Sequence, residues 1–148
     1  MTGLAKGLII TAVVLVIAGV ILVGGVVYFV STHGGEYLEK GKQAMEEGKR
    51  FGEGTDNHGC VAEALTRYKQ SPGMTSAISV QLFLTGCLQS SAATPGFCDD
   101  VPAPSEIMKS ASWRVHQCAV EGMANDTYCQ QLFGPVQNFC ESKHRRSP

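Results

Sequence analysis

Two short motifs bring together side chains able to bind a soft metal or to carry electrons: His58-Gly59-Cys60 and His116-Gln117-Cys118. Together they would make a Cys2His2 set of the kind zinc takes. Helix geometry opposes this, because residues i and i+2 of an α-helix project about 200° apart and cannot both face one ion. The motifs read instead as structural cysteines with histidines beside them. A metal-binding or redox role for His58/Cys60 and His116/Cys118 stands as the alternative. Dithiol chemistry of the Cys-x-x-Cys type needs a resolving thiol close by, and the chain has no such spacing. Adjacent carboxylates occur at Glu46-Glu47 and Asp99-Asp100, but neighbours of this kind on polar helices or loops are ordinarily solvated. A Gly-x-Ser-x-Gly elbow and a phosphate-binding loop are both missing. The expectation is a protein that is not an enzyme, with no catalytic residues, metal or cofactor.

The cysteines must be positioned by helices, and apolar spacing places these. His58 to Gln70 is followed by the breaker Ser71-Pro72-Gly73. Thr75 to Ser90 carries Ala77, Val80, Leu84 and Cys87 on one face, with Ile78 and Leu82 beside them, and should be the most buried element. Residues 91–104, with Pro95, Pro102 and Pro104, read as a loop. In Ser105 to Gly122, the residues Ile107, Ala111, Val115, Cys118 and Gly122 recur at helical spacing, which predicts that they face the core. Trp113 and Arg114 lie off that seam. Asn125-Asp126-Thr127 caps a last helix that aligns Cys129, Phe133, Val136 and Cys140, and Pro135 should kink or interrupt it. The same tripeptide matches an N-glycosylation acceptor at Asn125. Ahead of these elements, Gly34 to Phe51 reads as a polar helix with a thin seam of Tyr37, Gly41, Ala44, Gly48 and Phe51. Its internal glycines weaken it by about 1 kcal/mol each relative to alanine. Gly52 to Asn57 ends it, with Asp56 or Asn57 capping the next helix. No segment alternates with period two for long, so the fold class is all-α.

A duplication runs through this pattern. His58-Gly59-Cys60-Val61-Ala62-Glu63 lines up with His116-Gln117-Cys118-Ala119-Val120-Glu121, Thr85-Gly86-Cys87 with Thr127-Tyr128-Cys129, and Phe97-Cys98 with Phe139-Cys140. Six cysteines allow fifteen pairings, and sequence alone does not choose among them. One pairing respects the repeat. Cys60 and Cys87 flank the Ser71–Gly73 turn, Cys118 and Cys129 flank the turn at Ala124–Asp126, and Cys98 and Cys140 remain to tie the two hairpins together.

All six cysteines follow a single uncharged apolar run, Leu8 to Val30. A helix of that length spans about 34 Å, enough for a bilayer core of about 30 Å. A cleavable signal has a shorter apolar region and a small-residue cleavage site; this run instead leads into Tyr28-Phe29-Val30-Ser31. An uncleaved signal-anchor is expected. Thr11, Ala18 and Gly25, with Ala5, Ala12 and Gly19 alongside, form a small-residue stripe where a partner helix or a second copy could approach. Gly3-x-x-x-Gly7 is a weaker signal of the same kind.

Two arguments about sidedness conflict. Lys6 precedes the run, whereas Lys40, Lys42, Lys49 and Arg50 follow closely, and that bias favours a cytosolic domain. The cysteines favour an oxidising compartment. Domains behind a signal-anchor often translocate despite their charges, so the domain is placed outside the cytoplasm, periplasmic or extracellular. Of the 12 Lys and Arg only Lys6 lies ahead of the run, and all 13 Asp and Glu lie behind it, so there is no basic footprint for nucleic acid.

The expected organisation is a short tail (1–7), a transmembrane helix (8–30), a polar helix or stalk (31–55), a cysteine-rich helical domain (56–142) and a basic tail (143–148). The expected role is a membrane-anchored interaction, scaffold or accessory subunit, in contact with the lipid bilayer and a protein partner or a second copy of itself.

Overall fold

The computed structural model describes residues 2–145, without the side chains of residues 2–8 and His33. The side chains of Gly3, Ala5, Lys6 and Gly7, and the tail from Arg146 onward, therefore lie outside the described residues. Among the described residues every regular element is a helix: α1 (Thr2–Gly52), α2 (Asn57–Gln70), α3 (Met74–Ser90), α4 (Ile107–Val120), α5 (Thr127–Leu132) and α6 (Gly134–His144). Among the described residues the only β pairing is a single bridge between Asp56 and Ala92. The chain divides into two compact units between Glu39 and Lys40, and α1 contributes to both.

In the first unit, Ile9–Thr32 is long and apolar enough to cross a membrane, and its side chains are exposed along the whole length. The apolar run and the polar stretch that follows it both belong to α1. At its polar edge, Ser31 and Thr32 donate back to the Val27 and Tyr28 carbonyls at 2.7 and 2.8 Å.

The second unit begins at Lys40 and so takes in the end of α1. The reason is a close helix crossing. A Cβ built at Gly48 would fall on the Phe83 carbonyl, one at Gly52 on the Cys87 carbonyl, and one at Gly86 on the Met45 carbonyl. Glycine at all three positions lets the end of α1 lie backbone to backbone on α3. Phe51 then packs its ring 5.7 Å from that of Phe83. Arg67 of α2 closes the other side, with its guanidinium 3.9 Å above the Phe83 ring and bonded at 2.8 Å to both Glu63 and Glu47. The glycines that cost helix propensity are those that permit this packing.

Around this seam α3 is the central element, touching α2, α5 and α6, while α4 packs on α5. Its buried face holds Ala77, Val80, Leu84 and Cys87 as read from the sequence, with Phe83, Gly86 and Leu88 added; Ile78 is exposed and Leu82 half-buried. Asp56 caps α2 by accepting from the Gly59 N–H at 2.8 Å, and Asp126 caps α5 by accepting from Tyr128 and Cys129. Asn57 does not cap. It is buried, donating to Ser91 and accepting from the Thr94 N–H, and so pins the loop to the start of α2. The last helix is interrupted at Phe133, and Pro135 sits in the first turn of α6, where its missing N–H costs nothing. Trp113 is half-buried, edge-on to Phe133 at 5.5 Å.

The expected face of α4 is a correction. Ile107 is 76 % exposed, Val115 41 %, and Ala111 also faces solvent. The inward face consists of Ser110, Cys118 and the half-buried Trp113, Arg114 and Gln117. A polar anchor decides this rotation. Gln137 of α6, fully buried, exchanges hydrogen bonds with Ser110, accepts from Arg114 Nε at 2.6 Å and donates to the Pro102 carbonyl at 3.0 Å. A buried amide must be satisfied, and the face with Ser110 and Arg114 does this.

Candidate functional site

The His-x-Cys motifs do not converge. Cys60 is joined to Cys87 and Cys118 to Cys129, so both sulfurs are committed to disulfides and neither is available as a ligand. His58 is exposed and lies edge-on to Phe97 at 5.1 Å, and His116 is exposed on α4. Among the described residues no group of three His, Cys, Asp or Glu side chains is arranged to hold a metal ion.

The third bridge joins Cys98 to Cys140, and all six cysteines are paired. The sequence separations are 27, 11 and 42 residues, and each Cα–Cα distance falls between 5.3 and 6.1 Å. These are the pairs that respect the repeat: two bridges close the α2–α3 and α4–α5 hairpins, and the third ties the loop after α3 to α6. The repeat stops short of full symmetry. Its second helix has 17 residues in α3 but six in α5, because the chain is interrupted at Phe133.

The paired carboxylates have structural or solvated surroundings. Asp99 and Asp100 are both exposed in the loop. Glu46 takes Lys49 at 2.9 Å, and this hydrogen bond, with the lysine's charge, lowers its pKa, while Glu47 takes Arg67. Among the described residues the one strongly perturbed group is Tyr68, 1 % exposed, whose hydroxyl donates to Asp126 at 2.7 Å. Burial first, and then the bond to that carboxylate, pushes the phenol up to about 12. Burial also works to raise Asp126, but the hydrogen bonds from Tyr68, Cys129 and Tyr128 outweigh it, and its pKa falls below the usual carboxylate value. A phenol held neutral and a carboxylate occupied by three donors form a fastener between α2 and the start of α5.

What stands out is a surface. Along α4, Ile107, Met108 (80 % exposed), Ala111, Val115 and Ala119 share one face with no charged side chain among them. The sequence carried its signal in full, since the three–four spacing is real. The direction of the face depended on Gln137, a residue nineteen positions beyond Cys118 whose burial no local pattern announces. In the apolar segment, the described small residues Thr11, Ala12, Ala18, Gly19 and Gly25 are likewise exposed, and a Cβ at Gly19, Gly24 or Gly25 would meet nothing within 4 Å. Among known proteins, no family model matches the chain, and no curated protein or solved structure matches it significantly.

Proposed function

We propose that this protein is a single-pass, membrane-anchored subunit whose disulfide-stapled helical domain lies outside the cytoplasm and acts by binding another protein or a second copy of itself. The observation that carries this reading is the uncharged, exposed face of α4 around Ile107 and Met108. A domain this small invests its buried area in a core, and a contiguous apolar helix face left in water is characteristic of a contact surface. The anchor supports the same reading, because two weak contacts on one tethered chain combine into a stable one through effective concentration. The oxidised cysteines support the compartment.

The test is co-purification in mild detergent from native membranes, comparing the natural chain with an Ile107→Asp/Met108→Asp variant. Both substitutions fall on exposed positions, so melting should stay within about 0.5 kcal/mol of the parent. The natural chain should come out with a stoichiometric partner or as a homo-oligomer, and the variant should lose it. A strictly monomeric, partnerless natural chain would refute the reading. One equivalent of tightly held zinc or copper in elemental analysis would refute it in favour of metal chemistry.

A further inference from the structure

Five of the six cysteines are essentially excluded from water; Cys98 alone is half-buried, and it sits in the loop between α3 and α4 rather than on a helix. That loop, residues 91–106, runs through three successive turns, closed by Phe97, Asp99 and Val101 N–H groups on the Thr94, Gly96 and Cys98 carbonyls. Its attachments to the helices are few and concentrate at its ends. Ala92 N–H donates to the Thr55 carbonyl and Thr94 N–H to Asn57 at one end, and Pro102 accepts from Gln137 at the other. Between them the loop is held by the Cys98–Cys140 bridge, by Val101 packed against the core, and by Phe97, whose ring lies against His58 and, at 6.2 Å, against Phe139.

We infer that Cys98–Cys140 is a reducible latch: a dithiol reductant opens it ahead of the other two bridges and frees residues 95–101 from α6 while both helical hairpins stay closed. Thiol–disulfide exchange requires the attacking thiolate to reach a sulfur in line, so access ranks the three bridges, and exposed bridges are the labile ones. The reductant's thiolate attacks Cys98 Sγ, and the Sγ–Sγ bond breaks. Cys140 leaves as a thiolate and takes a proton from water, and the reductant's second thiolate then displaces Cys98. Two electrons pass to the protein, and the reductant leaves as its own disulfide. Cys60–Cys87 and Cys118–Cys129 are protected because each cysteine is 0 % exposed and flanked by helix on both sides. Opening the latch would lift Phe97 and Val101, which are partly buried against the core, and would remove the Phe97 ring from Phe139 of α6. This inference is independent of what the α4 face binds.

The experiment uses the full chain in detergent, titrated with dithiothreitol, quenched with iodoacetamide and mapped by peptide mass. Cys98 and Cys140 should be alkylated together, about tenfold faster than any other cysteine, as expected when access sets the rate. In parallel, hydrogen exchange before and after this first step should rise at residues 95–101 and stay unchanged in α2, α3 and α5. Earlier or equally fast opening of either hairpin bridge would overturn the inference. So would selective opening of Cys98–Cys140 with unchanged exchange in the loop. A Cys98→Ser/Cys140→Ser variant gives a second readout. It should exchange like the reduced protein, and an oxidised-like pattern from a folded variant would equally overturn the latch.

Discussion

The Tyr68–Asp126 pair makes the domain's stability depend on pH at both extremes. The folded phenol titrates near 12 and an unfolded one near 10, so its contribution is complete below about pH 10 and is lost as the pH rises through about 12. Asp126 has the opposite sign. Its folded pKa is lowered, so its contribution is present above the ordinary carboxylate range of about 4 and is lost as the pH falls through the folded value. Tyr68→Phe should therefore lower thermal stability at neutral pH by about 1.5 kcal/mol, the low end for a bond to an ionised acceptor because Asp126 keeps two backbone donors. It should also flatten the melting profile between pH 10 and pH 12. An unchanged alkaline profile in the variant would place the titration elsewhere. At this scale the sequence was legible where chemistry is local. The caps at Asp56 and Asp126 and the geometric objection to His-x-Cys as a metal site follow from neighbouring residues. The fastener itself was not legible, because Tyr68 and Asp126 are 58 positions apart and only the folded hairpins bring them together.

Among the elements, the crossing of α1 on α3 gives a prediction whose sign is diagnostic. On an isolated helix Gly48→Ala is a gain of about 1 kcal/mol. In this domain the added methyl meets the Phe83 carbonyl, and overpacking of that kind costs about 1–3 kcal/mol, so the melting temperature should fall. Gly35→Ala, with nothing within 4 Å, should leave the melt of the domain unchanged. A rise with Gly48→Ala would mean that α1 does not lie on α3. Read as spacing, Gly41, Ala44 and Gly48 did mark a small seam, but a glycine seam has the same sequence appearance as a weak stalk until its partner is known. The same limit reversed α4. Ile107, Ala111 and Val115 gave a sound periodicity, and burial of Gln137 against Ser110 and Arg114 turned that periodicity outward. Hydrophobic pattern identifies a face; a buried amide elsewhere in the chain selected which face went in.

For the molecule as a whole, the apolar run and the cysteine count were the legible features, because both rest on composition rather than on tertiary detail. Leu15→Arg with Val16→Arg should release the chain from membranes or block its insertion, at about 2.5–3.5 kcal/mol per charge near the centre of the span. A chain that still fractionates with membranes after carbonate washing would contradict the anchor. Beyond the apolar run, the bridges set the stability of the helical domain. In the chain-entropy account, loops of 11, 27 and 42 residues stabilise by about 3–4 kcal/mol each, comparable to the whole margin of a small domain. The central claim is an anchored helical domain oxidised into two hairpins and a tie, and non-reducing peptide mapping of protein taken from native membranes tests it most directly. Three cross-linked peptides, Cys60–Cys87, Cys98–Cys140 and Cys118–Cys129, with no alkylatable thiol, are the predicted result. Six alkylatable thiols would contradict the compartment, and a Cys60–Cys118 link would contradict the fold.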